Sequence, residues 1–333
     1  MHKIEKIDWQ SDYIVQWRPL DMCNYDCSYC SPSNHRTIIK KNITTADTLI
    51  KAATNIRDSI SNDKTVLVYV TGGEPFLVPE IYRWFNFMSD CNFKVGVFTN
   101  GSLPISMYMK CKSSFKNINI KISYHPENAD IDHIVSLAST IVEHGGAVEI
   151  RAMLVNKLFG RVDELEQKLS KYDIPILKLP VFPLYDARTK TVNPTFASSR
   201  NLSHYTQTID DGSLGYFTEE ELATIKDDSN QQSIPDYLNV MVDGVGTNAS
   251  TMVRNNLNRF KGWKCSVTNK KILIQANGNI QYGVCANSGT SGNVFDDIKL
   301  FTEEYTICTQ SECHTIDEVM ITKFNESGEK NED

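Results

Sequence analysis

The sequence of 333 residues lacks the features of several special classes of protein. It has no apolar run of the ~18–20 residues that a membrane-spanning helix needs. The segment from Met1 to Lys6 is too polar to be the apolar core of a secretion signal. Positive charge is not in excess, because 41 Asp and Glu residues outnumber 34 Lys and Arg residues. We therefore expect a cytoplasmic chain that neither enters a membrane nor binds nucleic acid over a broad surface.

The first half of the chain has the pattern of an α/β fold. Segments rich in Val, Ile, Tyr and Phe, without the alternation of a half-exposed sheet, are residues 13–18, 65–71, 93–99, 117–123, 147–154 and 176–181. Segments with helical periodicity lie between them, at residues 45–61, 79–89, 131–144 and 161–171. Strands buried on both faces that alternate with helices form parallel sheets. This order predicts a partial (β/α)6 barrel, similar to a TIM barrel, over residues 1–183.

The nine cysteines fall into two groups. A disulfide framework is not expected, because their number is odd and nothing points to secretion. Three cysteines within eight residues form the first group, Cys23, Cys27 and Cys30. Four in the last quarter of the chain form the second group, Cys265, Cys285, Cys308 and Cys313. This distribution predicts two metal sites.

The first group has the spacing C-x3-C-x2-C and directly follows the first predicted strand. A [4Fe–4S] cluster contains four irons, each of which normally takes one cysteine thiolate. Three cysteines leave one iron open to another ligand, and an open coordination position is typical of a reactive metal site. The alternatives are a zinc site and three unrelated buried cysteines.

This loop, with Tyr29 as the aromatic residue before Cys30, resembles the cluster loop of the radical S-adenosylmethionine (SAM) superfamily. A GGEP turn and three progressively weaker matches follow at the ends of later strands. The resemblance implies SAM contacts by Tyr29 and by these later positions, which are Gly72, Gly73, Glu74 and Pro75 of a GGEP motif, Asn100 of a TNG turn, Ser123 and Arg151. The resemblance, which covers residues 12–183, implies that the GGEP backbone and glutamate approach the SAM amino group. It also implies that Ser123 lies near the SAM ribose or carboxylate and that Arg151 pairs with the carboxylate.

The resemblance also implies the first chemical step. SAM chelates the open iron, and an electron from a reductant such as flavodoxin or ferredoxin breaks a carbon–sulfur bond of SAM. The resulting 5′-deoxyadenosyl radical abstracts a hydrogen atom from the substrate. No catalytic base is assigned from the sequence.

The second group of cysteines is separated by 19, 22 and 4 intervening residues. Four cysteines suit a fully ligated [4Fe–4S] cluster or a tetrahedral zinc ion. Asn277-Gly278, between the first two cysteines, predicts a β-hairpin with a tight turn. The arrangement resembles the auxiliary cluster domains called SPASM and twitch, although its last spacing departs from the SPASM pattern, and His314 is an alternative ligand. We expect this domain over residues 263–320, after a polar connection (184–262) near the substrate site and before a flexible tail (321–333).

Several reactions remain open at this stage. The first is a net oxidation or rearrangement of a small molecule in a biosynthetic pathway, with the auxiliary cluster accepting an electron or positioning the substrate. A second is the modification of a peptide side chain, although the roughly twenty residues before Cys23 leave little room for a leader-binding domain. A third is the modification of RNA or a nucleotide. An inactive iron–sulfur or zinc scaffold is the non-enzyme alternative.

Overall fold

A computed structural model gives the fold of the chain. The residues that it describes are 3–6, 11–30, 44–61, 63–181, 184–186, 191–193, 218–221, 223–224, 239–255, 257–285, 290–296, 300–301, 305–313 and 316–325. Its strands in chain order are β1 (Lys3–Glu5), β2 (Tyr13–Leu20), β3 (Val66–Gly72), β4 (Lys94–Thr99), β5 (Ile118–Tyr124), β6 (Ala147–Leu154), β7 (Ile176–Pro180), β8 (Leu184–Asp186), β9 (Thr191–Asn193), β10 (Asn239–Val242), β11 (Val245–Asn248), β12 (Lys264–Cys265), β13 (Lys271–Ile274), β14 (Asn279–Tyr282), β15 (Thr290–Asn293), β16 (Thr306–Ile307) and β17 (Lys323–Phe324).

Helices alternate with the strands through the first half of the chain, and they are α1 (Ala46–Asp58), α2 (Ile81–Asp90), α3 (Ile105–Met109), α4 (Ile131–Glu143) and α5 (Phe159–Leu169). Further helices lie in the second half, and they are α6 (Ala249–Arg254), α7 (Val267–Lys270) and α8 (Ile316–Val319). Thr45 caps α1 through a capping box with Thr48, and the Asp130 side chain caps α4. Within the described ranges, none of these helices combines the length and the apolarity needed to cross a bilayer.

The main sheet has nine strands, in the order β15-β14-β13-β2-β3-β4-β5-β6-β7. Strands β2 to β7 are parallel, lie side by side in sequence order, and coincide with the six predicted strands to within two residues at each end. The predicted α/β fold with a parallel sheet is therefore confirmed. β7 and β15 are the two edges, so the described strands form an open sheet and do not close into a barrel.

One face of the parallel sheet carries the hydrophobic core. Val68, Val95 and Ile118 share one register across three strands, and each is buried. On β2, Trp17 packs edge-on against Trp84 of α2, with ring centroids 4.8 Å apart. Burial of large aromatic rings between helix and sheet is a main source of stability in such a core.

The opposite face of the parallel sheet is polar and only half-buried. Phe98 and Lys121 are register partners on β4 and β5, and Tyr69 contacts Phe98 edge-on at 6.1 Å between centroids. Alternation along each strand places these side chains on the face away from the core. Polar and aromatic groups therefore line the open side of the sheet.

The hairpin predicted around Asn277-Gly278 is confirmed. Strands β13 and β14 pair antiparallel, and Gly278 has a φ of +84° that favours glycine. Their connection has four residues (275–278), whereas a tight primed turn has two. β13 also pairs parallel with β2, so the hairpin extends the main sheet.

A second sheet has the order β11-β10-β1-β17-β12-β16. Its strands come from distant parts of the sequence: β10 and β11 belong to the predicted polar connection, and β17 belongs to the predicted tail. The prediction of a tail from residue 321 is wrong for its first residues, because Ile321 and Lys323 are buried and β17 pairs with both β1 and β12. Residues 326–333 lie outside the described residues.

Candidate functional site

The first cysteine group lies in the loop after β2, at the carboxyl edge of the parallel sheet. The backbone N–H of Cys30 donates to the carbonyl oxygen of Cys27 at 3.0 Å, which folds the loop into a turn. Cys27 is buried with 3% exposure, and Cys23 and Cys30 are partly exposed. The three thiols lie close enough to interact electrostatically with one another. The loop thus gathers the three side chains that the sequence predicts to act together.

Amide groups donate hydrogen bonds to two of these sulfur atoms. Asn100 Nδ2 lies 3.5 Å from Cys23 Sγ, and the backbone N–H of Tyr25 lies 3.4 Å from the same sulfur. Asn128 Nδ2 lies 3.3 Å from Cys27 Sγ. Such donors stabilise negative charge on sulfur. Burial raises the pKa of the Cys27 thiol to about 12, so this thiol loses its proton at neutral pH only when a cation binds it. The donor set fits thiolates that hold an iron–sulfur cluster.

The carboxylate of Glu74 is completely buried and accepts three hydrogen bonds. The donors are the Phe76 N–H at 3.0 Å, the Thr99 hydroxyl at 2.8 Å and the Asn100 N–H at 2.7 Å. Burial raises the pKa of Glu74 to about 7 despite these donors. Glu74 therefore joins the end of β3 to the end of β4. Its predicted contact with SAM stays a prediction.

Close packing requires glycine at the two positions before Glu74. A Cβ at Gly73 would lie 2.0 Å from the carbonyl oxygen of Met22, in the cysteine loop. Gly72 has a φ of +115°, and a Cβ there would lie 2.4 Å from the carbonyl oxygen of Leu20. Pro75 then starts a 3-10 helix that Glu74 caps. The Gly-Gly-Glu-Pro turn is therefore packed directly against the loop that carries the cysteines.

Tyr29 lies on the inner side of the cysteine loop. Its side chain is 1% exposed, and its hydroxyl is 2.8 Å from His125 Nδ1, with the two rings stacked. Loss of solvation lowers the pKa of His125 to about 4, so this ring is neutral at pH 7. The neighbouring Glu127 accepts from the Ser28 N–H at 2.7 Å. The segment after β5 therefore contacts the cysteine loop at Ser28 and Tyr29. The predicted contact between Tyr29 and SAM stays a prediction.

Ser123 and Arg151 are register partners on β5 and β6, on the half-buried face of the sheet. Arg151 Nε lies 2.6 Å from a Glu149 oxygen, and its guanidinium lies 4.6 Å from the Phe98 ring centroid. Lys121 Nζ lies 2.8 Å from the other oxygen of Glu149. Two cations thus share one carboxylate, which leaves this group of three residues with net positive charge. Such a surface can take an anionic group of a ligand.

The second cysteine group also converges in space. Cys265, Cys285, Cys308 and Cys313 line one cavity together with Glu318 and Lys323. Their backbones are fixed by hydrogen bonds, including Cys308 N–H to the Trp263 carbonyl oxygen at 2.8 Å and Cys313 N–H to the Asn258 carbonyl oxygen at 2.7 Å. Burial raises the pKa of the Cys308 and Cys313 thiols. Four thiols in one cavity fit a fully ligated metal centre. The alternative ligand His314 lies outside the described residues.

Sequence reasoning missed several residues of the site. Asn128 and Glu127 follow β5, and the nearest sequence signal is the predicted SAM contact Ser123 near the end of that strand. The sequence did not indicate Lys323 as a site residue, because it lies in the segment predicted to be a tail.

Comparison with known proteins gives a family match for part of the chain. Residues 17–137 match the model of the Radical SAM superfamily. This span contains the first cysteine group and the Gly-Gly-Glu-Pro turn. No curated protein matches the sequence.

Solved structures of two proteins share the fold. Streptococcus suis SuiB bound to S-adenosylmethionine is 14% identical with a TM-score of 0.53, over 85% of this chain and 64% of SuiB. The protein anSMEcpe with bound AdoMet is 13% identical with a TM-score of 0.52, over 86% of this chain and 76% of anSMEcpe. SuiB has also been solved with its precursor peptide SuiA, and that structure has a TM-score of 0.53. The chain spans slightly less than two thirds of the length of SuiB.

Proposed function

We propose that this chain, which carries a radical SAM domain over residues 17–137, is an enzyme that reductively cleaves SAM and takes a hydrogen atom from its substrate. The observation that carries the proposal is a convergence at one edge of the sheet. The loop of Cys23, Cys27 and Cys30, the Gly72-Gly73 turn and Asn100 contact one another there. Three thiolates, close backbone approach and amide donors are what a cluster with one open iron and a chelating cofactor require.

The residues of the chain have separate parts in this proposal. Cys23, Cys27 and Cys30 hold the cluster, and Asn100 and Asn128 stabilise negative charge on its ligands. For SAM we propose contacts with the turn of Gly72, Gly73, Glu74 and Pro75, and with Tyr29, Asn100, Ser123 and Arg151. When bound, the cluster and SAM supply a 5′-deoxyadenosyl radical that can abstract a hydrogen atom. A flavodoxin or ferredoxin is the proposed reductant, in the cytoplasm, where thiols stay reduced.

The open sheet supports a partial (β/α)6 barrel whose half-buried face receives the substrate. Tyr69 and Phe98 offer aromatic surface there, and Lys121 and Arg151 offer positive charge. In this arrangement the side chains on β3 to β6 orient the substrate below the cysteine loop. Active sites in (β/α) folds lie at this carboxyl edge of the strands.

The second cysteine group supports an auxiliary [4Fe–4S] cluster in a domain similar to the SPASM and twitch type. Its four thiols line a shared cavity. No three His, Cys, Asp or Glu side chains within the described ranges are arranged to hold a single metal ion. A cube with one cysteine per iron holds its ligands farther apart than one tetrahedral zinc ion does. When bound, such a cluster supplies an acceptor for the electron that a net oxidation releases, which is why we propose an oxidoreductase-type reaction.

The test of SAM cleavage uses the full chain, purified and reconstituted without oxygen and reduced with dithionite. We expect 5′-deoxyadenosine and methionine from the wild-type protein and none from Cys27→Ala. Cys91→Ala is the matched control, because Cys91 belongs to neither cysteine group and is the C-cap residue after α2. Equal SAM cleavage by Cys27→Ala and the wild type would contradict the proposal.

A second candidate specifies a peptide as the substrate. It is favoured by the shared fold with SuiB, which has been solved with the precursor peptide SuiA. The test compares two sets of probes, short synthetic peptides and small polar metabolites, by the amount of 5′-deoxyadenosine that each set adds above the basal rate. Stimulation by peptides alone supports the peptide candidate. Stimulation by metabolites alone contradicts it and favours a small-molecule oxidation or rearrangement.

A further inference from the structure

Lys323 is a buried lysine in the wall of the second cysteine cavity. It lies on β17, between β1 and β12, and its side chain is 1% exposed. Its ammonium donates to the carbonyl oxygens of Glu318 and Ile321, the latter at 3.0 Å, and lies 5.0 Å from the centroid of the Phe260 ring. All of these partners are uncharged groups.

A second buried lysine shows the usual solution for such a charge. Lys271 is also 1% exposed, and its ammonium forms ion pairs with the carboxylates of Asp317 and Glu318. Among the side chains that the structure describes, no carboxylate lies within ion-pair distance of the Lys323 ammonium. Burial of an ammonium is costly unless an anion compensates it. A different anion is therefore expected beside Lys323.

Thiols of the second cysteine group line the cavity beside Lys323. Lys323 and Cys265 are direct partners in the antiparallel pair of β17 and β12, so their side chains lie on the same face. Lys323 lines the same cavity as the four cysteines and interacts electrostatically with Cys313, Cys265 and Cys308. It also interacts with the carboxylate of Glu318, which lies in the same cavity and already forms an ion pair with Lys271. Thiolates that hold a metal centre are anions, whereas free thiols are neutral. The position of Lys323 thus matches the ligands of a bound centre.

We propose that Lys323 compensates the negative charge of the C-terminal cluster and raises its reduction potential. This inference rests on the proposed auxiliary cluster. A cluster with four thiolates is anionic and gains one further negative charge when it accepts one electron. A fixed ammonium at the ligands favours the more negative, reduced form. In a net oxidation the electron comes from the substrate radical, and Lys323 itself gains or loses no proton.

The test measures the potential of the C-terminal cluster alone. A Cys23/Cys27/Cys30→Ala chain serves as the parent, since it retains the second cysteine group as the cluster site. Lys323→Met and Lys323→Arg are made in this parent, and each is reconstituted and titrated with dithionite while its EPR signal is followed. We expect Lys323→Met to keep its iron with a more negative potential, and Lys323→Arg to stay near the parent potential.

Lys264→Met is the matched control. Lys264 precedes Cys265 on β12 and is the partner of Phe324, so its side chain lies on the other face of the same strand pair. Its removal takes away one positive charge from the same pair of strands and should change the potential much less.

Each outcome of this experiment either supports or overturns the proposed role of Lys323. Unchanged potential in Lys323→Met with full iron content would overturn the inference. If Lys323→Met loses its iron and Lys323→Arg keeps it at the parent potential, the charge is needed and the inference stands. Loss of iron from both variants would mean that Lys323 acts by packing, against the inference. A parent that binds no iron would instead contradict the proposed auxiliary cluster itself.

Discussion

The backbone N–H of Asn100 donates to the buried carboxylate of Glu74 at 2.7 Å, which fixes the end of β4 to the end of β3. The side-chain amide of the same Asn100 reaches Cys23 Sγ at 3.5 Å. One residue therefore connects the Gly-Gly-Glu-Pro turn to a cysteine of the first group. The cysteine loop is held in place by this connection as well as by its own turn.

Glu74→Gln is expected to destabilise the folded protein. The Glu74 carboxylate accepts hydrogen bonds from three donors. The glutamine side chain has an NH2 group in place of one carboxylate oxygen, and this NH2 group would face a hydrogen-bond donor. An unsatisfied buried polar group costs about 1–3 kcal/mol. Urea unfolding of the unreconstituted chain measures this loss. An unchanged free energy of unfolding would contradict the role given to Glu74.

The contribution of Glu74 to stability is expected to depend on pH. Burial raises the pKa of this group to about 7 in the folded protein, from 4.5 for a free glutamate. The folded state therefore holds a proton that the unfolded state releases between these values. The stabilisation is full below about pH 4.5 and is lost as the pH rises through 7. Unfolding at several pH values should show a steeper fall in the wild type than in Glu74→Gln, and parallel curves would contradict the pKa.

Gly73→Ala should disrupt the cysteine loop. The added methyl group would lie 2.0 Å from the Met22 carbonyl oxygen, so the turn and the loop must separate. We expect loss of iron binding at the first group and a lower free energy of unfolding. Gly160→Ala is the control, because nothing lies within 4 Å of a Cβ at that position in α5. That control should be neutral or gain up to about 1 kcal/mol. Full iron binding by Gly73→Ala would show that the packing is less tight than described.

Asn128→Ala should lower the reduction potential of the first cluster without loss of iron. Its amide donates to Cys27 Sγ at 3.3 Å, and hydrogen bonds to cluster sulfurs favour the reduced form. Asn55→Ala is the control, since the Asn55 amide donates to the Val294 carbonyl oxygen at 3.0 Å, away from the cysteine loop. The measurement is the reduction potential of the first cluster in each variant, obtained by a redox titration followed by EPR. Equal potentials in Asn128→Ala and Asn55→Ala would argue against this hydrogen bond.

The parallel sheet could be predicted because its signal is local. A strand such as Ala147–Leu154 is rich in apolar residues despite Glu149 and Arg151, and its predicted and observed bounds agree. The second sheet gave no such signal. Its central strands β1 and β17 have three and two residues, and they pair across almost the whole length of the chain. Pairings of that kind depend on tertiary packing rather than on a local pattern.

The candidate site divides in the same way. Cys23, Cys27 and Cys30 lie within eight residues of one another, so their spacing alone predicts that they bind one metal centre. Asn128 reaches Cys27 across about a hundred residues because β2 and β5 end at the same edge of the sheet. Lys323 faces Cys265 through the register of β12 and β17. Neither relationship has a spacing that the sequence could reveal.

Counting iron is the most direct test of the central claim that the chain holds two iron–sulfur clusters. The wild type and a Cys23/Cys27/Cys30→Ala variant are purified without oxygen, reconstituted and assayed for iron and zinc per chain. The account predicts about eight irons in the wild type and about four in the variant. About four irons falling to none, with or without zinc at the second group, would contradict the auxiliary cluster and remove the main support for an oxidation.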